Sequence, residues 1–241
     1  MIKKALHKMR WNKIAGKLAK NRVAIRGRNL SQEEELALCE RIAKKKIEYL
    51  KISSDDNVLD IGCSEGYFTR EFARHSSQVW GIDFAPKMIE VAIYKGKGIT
   101  NVSYKVASIT DLPFKNGFFT KINCFSVIQY LENFNEVQKA FDEIARVLVR
   151  GGIAYIGDVY FDKKELLKII YKQEVRNNLR LARIGYLINL FIFTVFPPIL
   201  FFSKEELYQF GENSGLKTVF CRKTIDEPYE DIGMDILFCK L

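Results

Sequence analysis

The segment LDIGCSEGYF, residues 59–68, places an acid, two glycines and small polar residues directly after an apolar run. Because glycine lacks a Cβ, Gly62 and Gly66 would let a ligand approach the backbone closely. A phosphate-binding P-loop would continue with lysine and Ser or Thr, where this chain has Tyr67 and Phe68. The dinucleotide pattern G-x-G-x-x-G is not matched either. The segment therefore predicts a ligand-binding loop with little affinity for pyrophosphate.

A second acid stands at the end of the next apolar run. Asp83, in VWGIDFAPKM, follows Asp60 by 23 residues. An acid at the end of the second strand of a nucleotide-binding sheet can accept hydrogen bonds from both ribose hydroxyls. Together the loop and Asp83 predict a site for an adenosine that is attached to something other than phosphate.

Short apolar runs alternate with amphipathic segments between residues 57 and 159. The predicted strands are NVLDI, QVWGID, VSYKV, KINCFSV and GIAYIGDV, and the predicted helices are GYFTREFARH, PKMIEVAIY and FNEVQKAFDEIARVL. This alternation is typical of a parallel sheet with helices on both faces. Nearer the C-terminus, Ser203 and Glu206 have capping-box spacing at the start of a helix, and KTVFCRK and DILFCKL predict two closing strands.

Four segments resemble, in order and spacing, the successive motifs of class I S-adenosylmethionine-dependent methyltransferases. They are VLDIGCSEGYFTREFA, GIDFAPKMIEVA, SITDLPFKNGFFTKINCFSVIQYL and ARVLVRGGIAYIGDV, within residues 55–160. The resemblance implies an α/β fold with a Rossmann-like, seven-stranded, mostly parallel sheet, helices on both faces and an antiparallel C-terminal strand pair. It also implies S-adenosylmethionine as the cofactor.

The resemblance further implies which residues contact that cofactor. The methionine part would lie against the glycine loop, the ribose against Asp83, and the sulfonium near the end of the fourth strand. The implied cofactor-binding residues are Asp60, Gly62, Cys63, Ser64, Gly66, Asp83, Phe84, Met88, Ser108, Ile109 and Phe125. Ser108 stands where many members have an acid for the adenine amino group, and a serine accepts that hydrogen bond more weakly.

Candidate catalytic residues come from the ends of the fourth and fifth strands. Methyl transfer from a sulfonium is an in-line displacement, for which positioning alone can be worth about 7–11 kcal/mol. A base is needed only when the acceptor is a poorly ionised hydroxyl or a carbon acid. Gln129 and Tyr130, which the resemblance places near the acceptor, and Asp158 are the candidates. Asp158 is either a base or a loop acid.

Length and composition favour one domain without a metal site. The chain has 241 residues, of which 48% are hydrophobic, so it can bury one sizeable core. Its five cysteines show no C-x-x-C spacing and stand beside two histidines, so no zinc pattern is predicted. This cysteine usage favours reduced thiols and a cytoplasmic protein.

The net charge of +9 is concentrated in residues 1–30, which hold ten Lys and Arg and no acid. Within this basic arm, Trp11, Ile14, Ala15 and Leu18 have helical spacing, which predicts a short amphipathic helix. No apolar h-region follows, so we expect no secretory signal. We therefore divide the chain into an N-terminal arm at 1–30 and a methyltransferase domain at 31–241.

Residues 160–202 are predicted to be a helical, apolar insertion in this domain. Residues 184–202 carry no charge, and a basic stretch precedes them. A bilayer crossing needs about 17–25 residues, but Pro197-Pro198 would break such a span. Two alternatives stay open: a lid over the acceptor site, and a lid that also contacts an anionic membrane surface together with residues 1–30.

The sequence thus predicts an S-adenosylmethionine-dependent methyltransferase for a small-molecule or lipid-linked acceptor, such as a glycan or isoprenoid intermediate at the cytoplasmic membrane surface. One alternative is an RNA methyltransferase that binds phosphates through the basic arm. RNA is disfavoured because the N/D-P-P-[YF] tetrad of amino-methylating nucleic-acid enzymes is absent. The other alternative is a non-catalytic scaffold that keeps the fold. The oligomeric state is not predicted.

Overall fold

Seven strands form a single sheet in the computed structural model, which describes residues 2–18, 32–160, 199–223 and 233–241. The strands are β1 (Asn57–Ile61), β2 (Gln78–Asp83), β3 (Val102–Val106), β4 (Phe119–Phe125), β5 (Leu148–Tyr160), β6 (Leu216–Lys223) and β7 (Gly233–Lys240). The helices are α1 (Ile2–Leu18), α2 (Gln32–Leu50), α3 (Tyr67–Ala73), α4 (Pro86–Lys95), α5 (Phe134–Val147) and α6 (Lys204–Asn213), with a 3₁₀ turn at Ile128–Tyr130.

The strand order is β3-β2-β1-β4-β5-β7-β6, and β1 to β5 are parallel. Strand β7 is antiparallel to both β5 and β6. The predicted fold class, with its antiparallel C-terminal pair, is therefore confirmed. Strands β2 and β3 lie on one side of β1 in the sheet, and β4 lies on the other side of β1. Sheets of this kind bind ligands in the crevice outside the carboxyl ends of the strands at this switch point.

Burial explains why the central strands have these sequences. Strand β1 is buried from Val58 to Ile61, as expected for a parallel strand that is covered on both faces. Helix α5 packs an apolar stripe on the sheet, and its Val137, Phe141 and Ile144 are completely buried. Strand β4 ends at Phe125 because Ser126 takes a left-handed conformation, with φ of 58°. The sheet thus presents fixed strand ends at its carboxyl edge.

The predicted helix in the basic arm is present as α1, and it packs against α4. Trp11, Ile14 and Ala15 contact Ala85 and Met88, so the apolar side of α1 is covered. The opposite side of the helix is exposed and cationic, and its exposed residues include Lys8, Arg10 and Lys13. Among the helices within the described ranges, none is both long enough and apolar enough to cross a membrane.

The predicted insertion at 160–202 lies outside the described residues except for Tyr160 and residues 199–202. Where the chain re-enters the described structure, Leu200 N donates to Gln129 O at 2.9 Å and Phe202 N donates to Tyr160 O at 3.0 Å. The predicted capping box of α6 is confirmed, with Ser203 at its N-cap. Residues 199–202 are therefore bound to the 3₁₀ turn that follows β4 and to the last residue of β5.

Candidate functional site

Three residues with positive φ turn the chain from β1 into α3. The φ angles are 71° at Gly62, 51° at Ser64 and 79° at Gly66. The backbone N–H groups of Gly62 and Cys63 both donate to Ile82 O, at 2.8 and 2.9 Å. These bonds hold the loop, defined as residues 62–66, at the carboxyl ends of β1 and β2.

Asp60 lies beneath this loop rather than on its open side. Its carboxylate accepts hydrogen bonds from Thr69 Oγ1 at 2.6 Å and from Asn123 Nδ2 at 2.7 Å, and the residue is buried. Burial raises the pKa of this carboxyl, while hydrogen bonds from Thr69 and Asn123 and the nearby charge of Lys46 oppose the rise. Asp60 therefore joins β1 to α3 and β4 and supports the loop from within the protein.

Glu65 anchors the loop from its other side, although the sequence reasoning did not single it out. Its buried carboxylate lies 3.3 Å from Arg70 Nη2 and 3.0 Å from Lys95 Nζ. Arg70 Nη1 also donates to the Glu65 carbonyl at 2.7 Å. The two ion pairs connect the loop to α3 and α4, because Arg70 and Lys95 belong to those helices.

We expect Glu65→Gln to lower the free energy of unfolding by about 2 kcal/mol, because removing one partner leaves nearly buried cations uncompensated. Urea denaturation measures this change. The matched control is Glu71→Gln, since Glu71 pairs at 3.0 Å with Arg74, whose side chain is 71% exposed. Such an exposed pair contributes about 0–1 kcal/mol. Equal losses in the two variants would contradict a structural role for Glu65.

Asp83 faces the loop from the end of β2. Its Oδ2 accepts a hydrogen bond from Ser64 N at 3.1 Å, and its Oδ1 accepts one from Ala85 N at 2.9 Å. Burial raises the pKa of this carboxyl to about 6, although both backbone hydrogen bonds oppose the rise. Each carboxylate oxygen has a second lone pair, so Asp83 can also accept from the hydroxyls of a ribose.

The other residues implied for the adenosine part lie around Asp83 and the end of β3. Phe84 is partly buried, and Met88 is completely buried between the loop and α1, where Ser64 Oγ donates to its Sδ at 3.5 Å. Ser108 Oγ lies 2.9 Å from Thr110 Oγ1. Ile109 is buried in the main core. The structure therefore joins Met88 to the loop and makes Ile109 part of the core.

The acceptor candidates meet where β4 and β5 end. Gln129 is buried, and its Nε2 donates to Ser126 Oγ at 3.2 Å and to the carbonyl of Asp158 at 3.0 Å. Asp158 has a φ of 57°, and its N–H donates to Oδ1 of Asp235 at 3.0 Å. Gln129 and Asp235 thus hold the backbone of Asp158 from both sides. Asp235, on β7, was not among the residues selected from the sequence.

Tyr130 lies beneath α1. The centroid of its ring is 5.4 Å from that of His7 and 6.0 Å from that of Trp11, both in edge-to-face arrangement. His7 is buried, although the sequence provided no reason to select it. Helix α1 therefore adds aromatic side chains next to Tyr130.

These residues fit the cofactor that the resemblance implied. A buried carboxylate faces a loop that contains three left-handed residues, and both lie at the carboxyl edge beside the switch point between β1 and β4. Asp83 would hold the ribose, and the loop with Cys63 would hold the methionine part. Phe125 is the last residue of β4, and Gln129 and Tyr130 belong to the 3₁₀ turn that follows it. No group of three or more His, Cys, Asp and Glu within the described ranges is arranged to hold a metal ion.

Comparisons with known proteins agree with this arrangement. Residues 59–156 match a family model described as a methyltransferase domain. The chain is 30% identical over 139 residues to the uncharacterized methyltransferase YcgJ of Bacillus subtilis. These residues make up 57% of this chain and 51% of that protein. It is 33% identical over 103 residues to a demethylmenaquinone methyltransferase of Tropheryma whipplei, covering 43% and 41% of the two chains. The chain thus spans about half the length of these relatives.

The fold is also similar to that of solved structures. One is the N-methyltransferase NodS from Bradyrhizobium japonicum in complex with S-adenosylhomocysteine, with a TM-score of 0.60 and 18% sequence identity. The similarity covers 83% of this chain and 86% of NodS. At this identity it supports the fold, including the sheet whose carboxyl edge carries the loop and Asp83.

Proposed function

The chain carries a domain of the class I S-adenosylmethionine-dependent methyltransferase family, and from this premise we propose that the protein methylates an apolar small molecule. The observation that carries the methyl-donor part of this proposal is the buried Asp83 carboxylate, which faces the loop at hydrogen-bonding distance. It supports a ribose position from which the methionine part extends along the loop toward Phe125. A methyl group near Phe125 would then point to the edge formed by Gln129, Tyr130 and Asp158.

S-adenosylmethionine supplies a methyl group bound to a positively charged sulfur. Bound at this site, the cofactor would supply that methyl group to a carbon or oxygen of the acceptor, with the electron pair of the broken sulfur–carbon bond staying on the thioether of S-adenosylhomocysteine and the acceptor giving up a proton. The residues of this chain would contribute mainly by holding the two reactants in line, which can be worth about 7–11 kcal/mol.

We propose that the acceptor is an aromatic ring with an isoprenoid tail, such as a quinol. Aromatic residues are neighbours of Gln129 and Asp158 in the chain: Tyr130 follows Gln129 and packs with His7 and Trp11, and Tyr160 comes two residues after Asp158. The ring centroid of Tyr160 lies 6.3 Å from that of Phe201. Such surfaces favour flat apolar ligands. The relative from Tropheryma whipplei, named for demethylmenaquinone, supports the same class.

Within this proposal, the Asp158 carboxylate accepts the proton that the acceptor loses, and Gln129 positions Asp158. The left-handed backbone of a non-glycine residue is strained, and such strain is concentrated at functional sites. Asp158 keeps this conformation because side chains of Gln129 and Asp235 bind its carbonyl and its N–H. Tyr130 would contact the acceptor through its ring.

We expect Asp158→Asn to lower kcat about a hundredfold without changing the midpoint of urea unfolding, since proton acceptance adds to a rate that positioning already provides. Asparagine tolerates a left-handed backbone, so the strand end should keep its conformation. The assay is release of S-adenosylhomocysteine with a quinol acceptor. An unchanged kcat would mean that Asp158 is a structural acid.

The experiment that tests the function offers the full chain three acceptor sets: a short-chain demethylmenaquinol in neutral or anionic vesicles, bulk cellular RNA, and no acceptor. Turnover with the quinol, but not with RNA or without an acceptor, supports the proposal. Faster turnover in anionic vesicles would add a membrane contact through the exposed cations of α1, Lys8, Arg10 and Lys13. Salt-sensitive methylation of RNA would instead favour the RNA methyltransferase, and cofactor binding without turnover in any of the sets would favour the scaffold.

A further inference from the structure

Strand β3 forms one edge of the sheet, and β2 is its neighbour on the other side. The bonds at the two ends of β3 show which of its residues face β2. Asn101 O accepts from Val79 N at 2.9 Å, and Ala107 N donates to Asp83 O at 3.1 Å. In a parallel ladder alternate residues bond to the same neighbour, so the odd-numbered residues of 101–107 face β2. The N–H and C=O groups of the even-numbered residues therefore point away from the sheet.

Apolar side chains lie beside these outward-facing backbone groups. Val106, on β3, is 46% exposed, and Ile93 and Tyr94, on α4, are 55% and 75% exposed. The two α4 residues line an open groove of about 600 Å³ together with Val102 and Tyr104 of β3. Single exposed apolar residues are ordinary, whereas a group of them beside an open strand edge indicates an interaction surface. We call this surface the β3 edge.

The β3 edge matches itself in backbone register. If two copies of β3 run antiparallel about a twofold axis at Tyr104, Val102 of each copy lies opposite Val106 of the other. The residues whose backbone groups point outward then face each other, so they can exchange the hydrogen bonds of an antiparallel ladder. In the same register Lys105 lies opposite Ser103, so like charges do not meet. A twofold interface needs such self-complementarity.

The charges at the β3 edge are also self-complementary. Glu90 and Lys97 are exposed and line the same groove. Glu90 precedes Tyr94 by four residues, and Lys97 follows it by three. An antiparallel arrangement of two α4 helices about the twofold axis would therefore bring Glu90 of each copy toward Lys97 of the other. Opposite charges placed in this way favour one partner and one orientation.

We propose that the β3 edge binds a second copy of this chain, so that two seven-stranded sheets join into one continuous sheet. The backbone register, the apolar groove and the two charges each match their own symmetry mates, which is why the occupant is a second copy. Main-chain hydrogen bonds would provide affinity, and the α4 side chains would provide specificity. The inference goes beyond the proposed function and does not depend on the identity of the ligand.

The test measures the mass of the full chain by sedimentation velocity over about a hundredfold range of protein concentration. The wild-type chain should form a dimer. Val106→Lys should weaken dimerisation at least about tenfold, because a lysine at a strand edge opposes pairing and the twofold axis places it in the interface twice. The matched control is Val219→Lys, since Val219 is 57% exposed on β6, the opposite edge of the sheet. This control should dimerise like the wild type.

An exchange of charges tests the twofold arrangement without changing β3. Glu90→Lys and Lys97→Glu, made singly, should each weaken dimerisation about fivefold, because like charges then meet twice across the axis. The double variant restores opposite charges and should dimerise like the wild type. A monomeric wild-type chain would overturn the proposal. A dimer that Val219→Lys dissociates, one that Val106→Lys leaves intact, or a double variant no tighter than the single ones would overturn it as well.

Discussion

Replacing Asp83 with alanine should weaken S-adenosylhomocysteine binding about a hundredfold, equivalent to about 3 kcal/mol for two hydrogen bonds to a charged group. The substitution also leaves the N–H groups of Ser64 and Ala85 without the carboxylate that now accepts them. The loop should therefore lose part of its ordered conformation as well as its ribose contacts. Calorimetric titration of the full chain measures the affinity.

The control for this prediction is Asp55→Ala, which removes an exposed acid from the turn before β1. We expect its affinity to equal that of the wild type. Circular dichroism should show the same secondary structure in both variants, because Asp83 lies at a strand end rather than within the sheet. A wild-type affinity in Asp83→Ala would refute the ribose site.

The raised pKa of Asp83 makes the same site sensitive to pH. With a pKa of about 6, about nine-tenths of this carboxyl is protonated at pH 5. Because the ionised form accepts from the ribose, cofactor affinity should fall up to about tenfold between pH 7 and pH 5. In Asp83→Asn, the affinity should be weaker and nearly constant over this range. A wild-type affinity that is constant between these pH values would contradict ionisation of Asp83 as the cause.

A change in pH acts on the stability of the fold through Asp83 in the opposite direction to its action on cofactor affinity. Asp83 binds its proton more tightly in the folded protein than in the unfolded chain, since its pKa is raised from 3.8 to about 6. Its contribution to the free energy of unfolding therefore falls as the pH rises between these two values. Without cofactor, Asp83 contributes more to the stability of the folded protein at low pH. With cofactor present, a higher pH strengthens cofactor binding.

Gly66→Ala should lower the free energy of unfolding by about 3 kcal/mol, the sum of backbone strain and overlap. Gly66 has a φ of 79°, which is unfavourable for any residue with a Cβ. A Cβ built on this glycine would also lie 2.5 Å from Tyr104 Oη. Tyr104 is enclosed by Gly66, Gly81 and Gly96, so its ring has little room to move away. Urea denaturation measures the loss, and cofactor affinity should fall with it.

The chain offers a matched control in Gly98→Ala. Gly98 has a φ of 91°, yet a Cβ there would have no heavy atom within 4 Å. We expect a loss of about 1–2 kcal/mol from the strain alone, with unchanged cofactor affinity. The difference between the two variants isolates the overlap with Tyr104. Identical losses would show that the space around Gly66 does not restrict its side chain.

The first three strands could be predicted to the residue because their signals are local. NVLDI and QVWGID each contain an apolar run, VSYKV alternates valine and tyrosine with polar residues, and β1, β2 and β3 have the bounds of these three segments. The predicted KINCFSV segment differs, since β4 begins at Phe119 and ends at Phe125. Ser126 leaves the strand because its backbone turns left-handed, and its N–H still donates to Gly157 O of β5. That hydrogen bond depends on β5, which is distant in sequence.

Three buried polar residues were not predicted from the sequence, and all three were missed for the same reason. Lys46, His7 and Asp235 are polar side chains in segments that otherwise predict ordinary helices or a strand. Each is buried against an element that comes much later or much earlier in the chain: Phe125 for Lys46, Tyr130 for His7, and Asp158 for Asp235. The contacts of Lys46, His7 and Asp235 therefore form only when these elements pack together.

The sequence alone determined the order of strands and helices, the glycine loop and the acid that faces it. Those features follow from side-chain periodicity and from the backbone freedom of glycine, which act over a few residues. Only the tertiary structure decided that Asp60 supports the loop from beneath, that Gln129 binds backbone, and that α1 covers Tyr130. Those outcomes depend on burial, because removal from water makes polar groups find partners, and the partners are supplied by distant parts of the chain.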